Sequence, residues 1–223
     1  MSEVTNEIVK QETAVQEQGI TLDYMNGNAL NAAYKNAMVL AKSDLVPEMY
    51  KNRADNVLLA MDMASRTGFS LMQVMQNLYL VRGKPAWSGS FCMSAIKASG
   101  LYEWVKYVKV GEPGTDSEGY LVQAKDRKTG EVVNGPVVDW SVVKAYGWHT
   151  KPGSQWKMAP DLMFRYRAAA FFARTECPEV LQGVQTQEEL RDTYGDEPKK
   201  QKTRITLDGV KQPEDIIVES EVE

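Results

Sequence analysis

The sequence predicts an α+β fold in which a small antiparallel sheet, a hairpin followed by a β-meander, packs with helices. Three observations predict it. Apolar residues recur at helical spacing as far as Met75, give way to short β-branched and aromatic runs between Leu78 and Val133, and return to helical spacing from Pro160 onward. Helices, then strands, then helices is the order of an α+β domain, whereas a doubly wound parallel sheet would alternate strand and helix throughout. No internal repeat stands out.

Each element has its own signal. Ala29–Lys42 carries Leu30, Tyr34, Ala37, Met38 and Ala41 on one helical face. Ala54–Arg66 does the same with Val57, Leu58, Met61 and Ala64, and Gly68 is placed to stop it. Ser70 is a suitable cap for a short helix through Met75. Leu78–Val81, the turn-like Arg82-Gly83-Lys84-Pro85 and Ala86–Ser88 read as a hairpin. Phe91–Ser99 is helical and ends at Gly100. Tyr102–Val110 and Tyr120–Arg127 have the β-branched and aromatic content of strands, and Lys128-Thr129-Gly130 turns the chain into Glu131-Val132-Val133. Asp139 caps a helix ending near Gly147. A loop rich in Gly, Pro and Trp leads to Pro160, which suits a first helical turn, and that helix runs to about Glu176. Thr186-Gln187-Glu188-Glu189 matches a capping box for a last short helix.

With 223 residues, 43% of them apolar, the chain suits one core with tails. Residues 1–22, rich in Glu and Gln, are expected to form a flexible N-terminal segment. Residues 23–194 form the domain, and residues 195–223, charged and broken by two prolines, are expected to be a disordered acidic tail. No run of about 18 apolar residues is present, so no membrane span is expected. The polar, acidic opening does not resemble a signal peptide, and a cytoplasmic location is expected.

The formal net charge of −4 argues against a nucleic-acid partner until its distribution is considered. Residues 1–20 hold four acids and one base, and residues 192–223 nine acids and five bases. That leaves 17 acids and 20 bases between them, out of 30 and 26 in all. The middle of the chain is therefore basic between acidic flanks, and a polyanion responds to that local field.

Chemistry that needs cysteine or histidine has few parts to draw on. Cys92 and Cys177 are far apart in apolar surroundings and read as small buried side chains, and His149 is the only histidine. They make neither a zinc site nor a nucleophilic triad. Asp116, Glu118 and Asp126 are conceivable metal ligands of a nuclease, but their setting reads as a solvated loop. There is no G-x-x-x-x-G-K-[ST] phosphate loop, so ATP hydrolysis is not expected. No catalytic residue, metal or cofactor is nominated.

The most informative stretch is Pro160–Arg174. Its apolar residues occupy most directions of the helix, so it is largely buried, yet Leu162–Thr175 contains Arg165, Arg167 and Arg174 and no acid. The anionic partners are expected from elsewhere: another segment, a neighbouring subunit or a ligand. Arg167 and Arg174, seven apart, share a face roughly 10 Å apart along the axis. Phe171 lies between them, and an Arg–aromatic–Arg stripe suits a nucleic-acid strand as well as it suits internal ion pairs. Weaker candidates are Arg82 and Lys84 on the hairpin turn and Lys125 and Arg127 at the next turn, with Lys106 and Lys109 weaker still.

Three features in order resemble the RecT/Redβ family of phage single-strand annealing proteins. They are the helix ending in Thr67-Gly68-Phe69 before the hairpin Leu78–Lys84, the helix closing in Ala98-Ser99-Gly100, and Trp156 followed by Leu162-Met163-Phe164-Arg165-Tyr166-Arg167-Ala168. The resemblance covers roughly residues 54–191. It implies a RecT/Redβ-like annealing core that binds single-stranded DNA, anneals it to a complementary strand without ATP and holds the annealed duplex. It also implies assembly into rings or helical filaments beside a phage exonuclease and a host single-strand binding protein. By position it implies DNA contacts at Arg165, Arg167 and Arg174, and at Arg82, Lys84, Lys125 and Arg127. Asp161-Leu162 stand where such proteins carry basic residues, which leaves part of the basic surface missing or moved. The competing expectations are an oligomeric adaptor, whose arginine-bearing helix meets acids of a neighbouring subunit, and a metal-dependent nuclease.

Overall fold

The structure is a computed structural model that describes residues 23–194; the expectations for residues 1–22 and 195–223 lie outside the described residues. Helix α1 (Gly27–Leu40) starts where the Asn26 side chain accepts the amides of Asn28 and Ala29. A 3-10 turn (Glu48–Tyr50) leads to α2 (Ala54–Thr67), which ends at Gly68 in the left-handed region, φ 72°. Helix α3 (Leu71–Asn77) opens with a full capping box between Ser70 and Gln73. Strands β1 (Leu78–Val81) and β2 (Lys84–Trp87) pair antiparallel. The loop between them is only Arg82-Gly83, both at positive φ (49° and 75°), two residues shorter than the turn the sequence suggests. Positive φ at both positions matches the right-handed twist of the flanking strands.

Helix α4 (Gly89–Ala98) is capped by the Ser88 hydroxyl. Strands β3 (Tyr102–Val110), β4 (Gly119–Asp126), β5 (Val132–Asn134) and β6 (Val138–Asp139) form an antiparallel sheet. In it β3 and β5 flank one stretch of β4, and β6 pairs its beginning. Asp139 caps α5 (Trp140–Ala145) as expected, accepting the amide of Val142. A 3-10 turn (Gln155–Lys157) precedes α6 (Pro160–Glu176), and another (Pro178–Leu181) follows it. The described residues end in β7 (Gln185–Thr186) and α7 (Gln187–Tyr194). The expected capping box closes α7: the Glu189 carboxylate accepts the Thr186 amide at 2.6 Å, and the Thr186 hydroxyl accepts the Glu189 amide at 3.3 Å.

The α+β class holds, but the single antiparallel sheet does not. The hairpin and the meander belong to separate sheets, and β7 joins β2 in parallel, which makes the first sheet mixed. Two residues are too few to show an alternating pattern, so nothing in the sequence marks β7. Its direction is set by the Gln182-Gly183 bend, both residues at positive φ, and by the Trp87 indole N–H, which donates to the Leu181 carbonyl at 3.1 Å. The core lies between the sheets and α6. Trp87 stacks on Phe91 at 4.1 Å, and Phe172 of α6 meets Tyr102 edge-on at 5.4 Å. Both cysteines are buried and unpaired, as the sequence suggests. Among the described residues no helix is long and apolar enough to cross a membrane.

Candidate nucleic-acid interface

The four-stranded sheet has two unlike faces, because strand side chains alternate. Val105 and Tyr107 of β3, Tyr120, Val122 and Ala124 of β4, and Val133 of β5 face the core. Helix α6 packs there, with Phe164 near Tyr120 and Phe172 against Tyr102. The pairing places a different set on the outer face: Trp104 opposite Lys125, Lys106 opposite Gln123, Val108 opposite Leu121, and Val132 and Asn134 beside them. None of these residues belongs to the core, and Val132 is 51% exposed.

Two lysines flank one indole on this face. Lys106 Nζ lies 5.0 Å from the Trp104 ring centre, and Lys125 stands across the ladder. Beside them Gln123 donates to the Asn134 side-chain carbonyl at 2.8 Å. A bulge between Tyr102 and Trp104 brings Glu103 to Lys125 at 2.6 Å, with the Glu103 side chain half exposed. An exposed pair of this kind contributes about 0–1 kcal/mol, so an incoming phosphate displaces it at small cost. A flat aromatic with cations on either side offers a base a stacking partner and the backbone two counter-charges.

The arginines of α6 have partners within the chain. Arg167, only 4% exposed, donates to Asp192 of α7 at 2.6 Å and stacks 4.0 Å from the Trp148 ring centre; Lys151 reaches the other oxygen of Asp192 at 2.7 Å. Arg174 forms a two-point pair with Glu189, at 3.1 and 2.9 Å, and donates to the Val184 carbonyl. Burial alone would push the Glu189 carboxyl up, but Arg174 and the Thr186 amide outweigh it and hold the group below the ordinary carboxylate value. Of the two readings open for this stripe, internal ion pairs describe both arginines, and the acids come from the same chain. Phe171 turns toward the aromatic cluster, 6.4 Å from Trp148, and packs on the core.

Arg165 corrects the expectation that its acid comes from outside its helix. Asp161, one turn earlier, pairs with it at 3.0 Å and also accepts the Tyr120 hydroxyl. The departure at Asp161 thus neutralises the neighbouring arginine. The Arg165 guanidinium lies over Tyr120 at 5.1 Å, near the core-facing side of the sheet.

The turns place the remaining candidates at separate spots. Arg82 is exposed on the two-residue hairpin loop. Lys84 donates to the Tyr194 hydroxyl at 2.6 Å and sits 4.4 Å from that ring's centre. Arg127 is spent on the backbone, donating to the carbonyls of Gly100 and Tyr102 at 2.8 and 3.1 Å. Of the cations the sequence singles out, Lys125 and the lower-ranked Lys106 lie on the outer sheet face.

The acids of the imagined nuclease site are likewise engaged apart from one another. Asp116 pairs with Lys144, and Glu118 pairs with Lys109 at 2.7 Å. Asp126 accepts the amides of Lys128 and Thr129, and those bonds hold it below the ordinary range. Among the described residues no three His, Cys, Asp or Glu side chains gather as a metal site.

Trp104 was not nominated from the sequence, and Lys106 was ranked low. The signal for both was the alternation within Tyr102–Val110, which puts Trp104, Lys106 and Val108 on one face. Reading it required knowing which face α6 covers. Comparison with protein-family models, curated proteins and solved structures finds no match to this chain.

Proposed function

We propose that this chain binds single-stranded DNA on the outer face of its four-stranded sheet and promotes annealing to a complementary strand without ATP. The observation that carries the reading is the Trp104 indole between Lys106 and Lys125 on a face that supplies nothing to the core. One strand's phosphates are held by the lysines, one or more of its bases rest on Trp104, and the other base edges stay open to test pairing. Complementarity then supplies the sequence specificity and no bond is made or broken, so the activity calls for no catalytic residue. One chain offers few phosphate contacts, and assembly of several copies along a strand multiplies them. The family resemblance adds the setting: recombination of phage DNA in a bacterial cytoplasm, with a ring or filament of copies beside a strand-generating exonuclease.

Binding of a fluorescent single-stranded oligonucleotide, followed across a salt series, tests the reading. Affinity that falls log-linearly with salt, with little dependence on sequence, is the expected result. Absence of binding at low salt overturns it, and the adaptor reading then takes its place.

A further inference from the structure

Helices α1 and α2 do not close fully on each other. Between them runs an apolar groove of about 590 Å³, lined by Ala29, Ala32 and Ala33 of α1, by Met61 and Ala64 of α2, and by Phe69 and Leu71 at its floor. Small residues on α1 and a wide apolar floor leave room for several aliphatic side chains. Asp23, the first described residue, lines the same groove.

Two observations identify the occupant. The chain enters the described fold at the groove itself, and the next residue, Tyr24, is held against α2: burial first, and the Asp62 carboxylate second, push its hydroxyl pKa up. Asp62 is 8% exposed, takes Arg66 at 2.8 Å, and accepts a hydrogen bond from the Tyr24 hydroxyl whose pKa it helps to raise. Residues 1–22 carry Val4, Ile8, Val15, Ile20 and Leu22 among polar residues, with Glu3, Glu7, Glu12 and Glu17 against one base, while Lys35 adjoins the lining residue Asn36.

We infer that the α1–α2 groove is a docking site for residues 1–22 of the same chain, their aliphatic side chains filling it and their acids on the side of Lys35. The direct tether to Asp23 gives the segment an effective concentration in the millimolar range, so even weak apolar contacts keep the groove filled ahead of a second copy at ordinary protein concentration. The inference is independent of what the sheet face binds.

Spin labels attached in the full-length chain at Ile8→Cys and, separately, Val15→Cys test it, read as broadening of the isotope-labelled methionine methyl signals. Cys92 and Cys177 are buried, and burial pushes the Cys177 thiol up to about 11, so the label goes to the introduced thiol. The expected result is that Met61 loses about half or more of its intensity from at least one position. It keeps its intensity when the spin-labelled chain is mixed with a separate isotope-labelled chain. Ala33→Trp, which fills the groove, restores the signal in a protein whose circular dichroism is unchanged. Unbroadened Met61 from both positions overturns the inference. Broadening in the mixed sample also overturns it and assigns the groove to a second copy.

Discussion

Trp104 stands directly opposite Lys125 across the β3–β4 ladder, on the side of the sheet that α6 leaves uncovered. This relationship makes the sheet two-sided in polarity. Its inner side holds α6 through Tyr102, Tyr107 and Tyr120, and its outer side presents an aromatic surface between two positive charges.

Removing the aromatic surface is the first prediction. Stacking of a base on an aromatic side chain contributes about 1–3 kcal/mol, so Trp104→Ala weakens binding of single-stranded DNA by roughly 5- to 100-fold. Trp104→Phe retains most of the affinity. Fluorescence anisotropy with a labelled oligonucleotide checks both, and an unchanged Kd in Trp104→Ala contradicts the stacking role.

The proposed role of the lysines is to hold phosphate, so their expected signature is salt dependence. For single strands each neutralised phosphate contributes a slope of about −0.7 in log K against log salt; Lys106→Ala/Lys125→Ala therefore reduces the slope by about 1.4. Glu103→Gln frees Lys125 from its 2.6 Å partner and tightens binding at low salt by about two- to fivefold, the scale of an exposed ion pair. A looser complex in Glu103→Gln contradicts the assignment of Lys125.

For the α6 arginines the expected loss is in stability. Arg167 is buried against Trp148 and Asp192, and its removal leaves Asp192 with Lys151 alone. Arg167→Ala is expected to cost about 3 kcal/mol, and Arg174→Ala, whose pair with Glu189 is more exposed, about 1–2 kcal/mol. Urea unfolding monitored by circular dichroism measures both. At temperatures where the variants stay folded, their affinity for single strands matches wild type; a folded Arg174→Ala protein that no longer binds DNA contradicts this division of roles.

Acid sensitivity follows from Glu189. Its folded pKa is depressed below the ordinary 4.5, so the unfolded chain binds its proton more readily than the folded one. The stability it contributes is present above the ordinary value and is lost as pH falls through the lower folded value. Glu189→Gln is therefore less stable than wild type near neutrality, and the gap narrows as pH drops below 4.5. Urea midpoints taken at several pH values check the sign, and a gap that widens toward acid contradicts it.

Much of the fold was legible because its signals are local. Gly68, the Ser70 cap, the Thr186–Glu189 capping box, Asp139 and Pro160 each mark an element end that the structure confirms. The partition into two sheets was not legible, since it depends on a two-residue strand held by a Trp87–Leu181 hydrogen bond across 94 residues. The Arg-rich helix drew attention for a sound reason, buried charge without nearby acid, but which partner wins is a tertiary fact supplied by Asp192 and Glu189. The Trp156-to-Arg167 motif is likewise held by packing, with Trp156 edge-on to Phe164 at 4.9 Å. Lys125 stands out in the sequence as a basic residue at a turn, and the structure places it on the outer sheet face. Trp104 was missed because an aromatic residue in a strand more often belongs to a core, and only the position of α6 shows otherwise.

The most direct test is annealing of two complementary labelled oligonucleotides, without ATP or metal, by wild type and by Trp104→Ala/Lys106→Ala/Lys125→Ala, with circular dichroism confirming that both are folded. Rapid annealing by wild type and its loss in the folded triple variant is the predicted result. Equal annealing by the two proteins would contradict the sheet-face site, and no annealing by wild type would contradict the function itself.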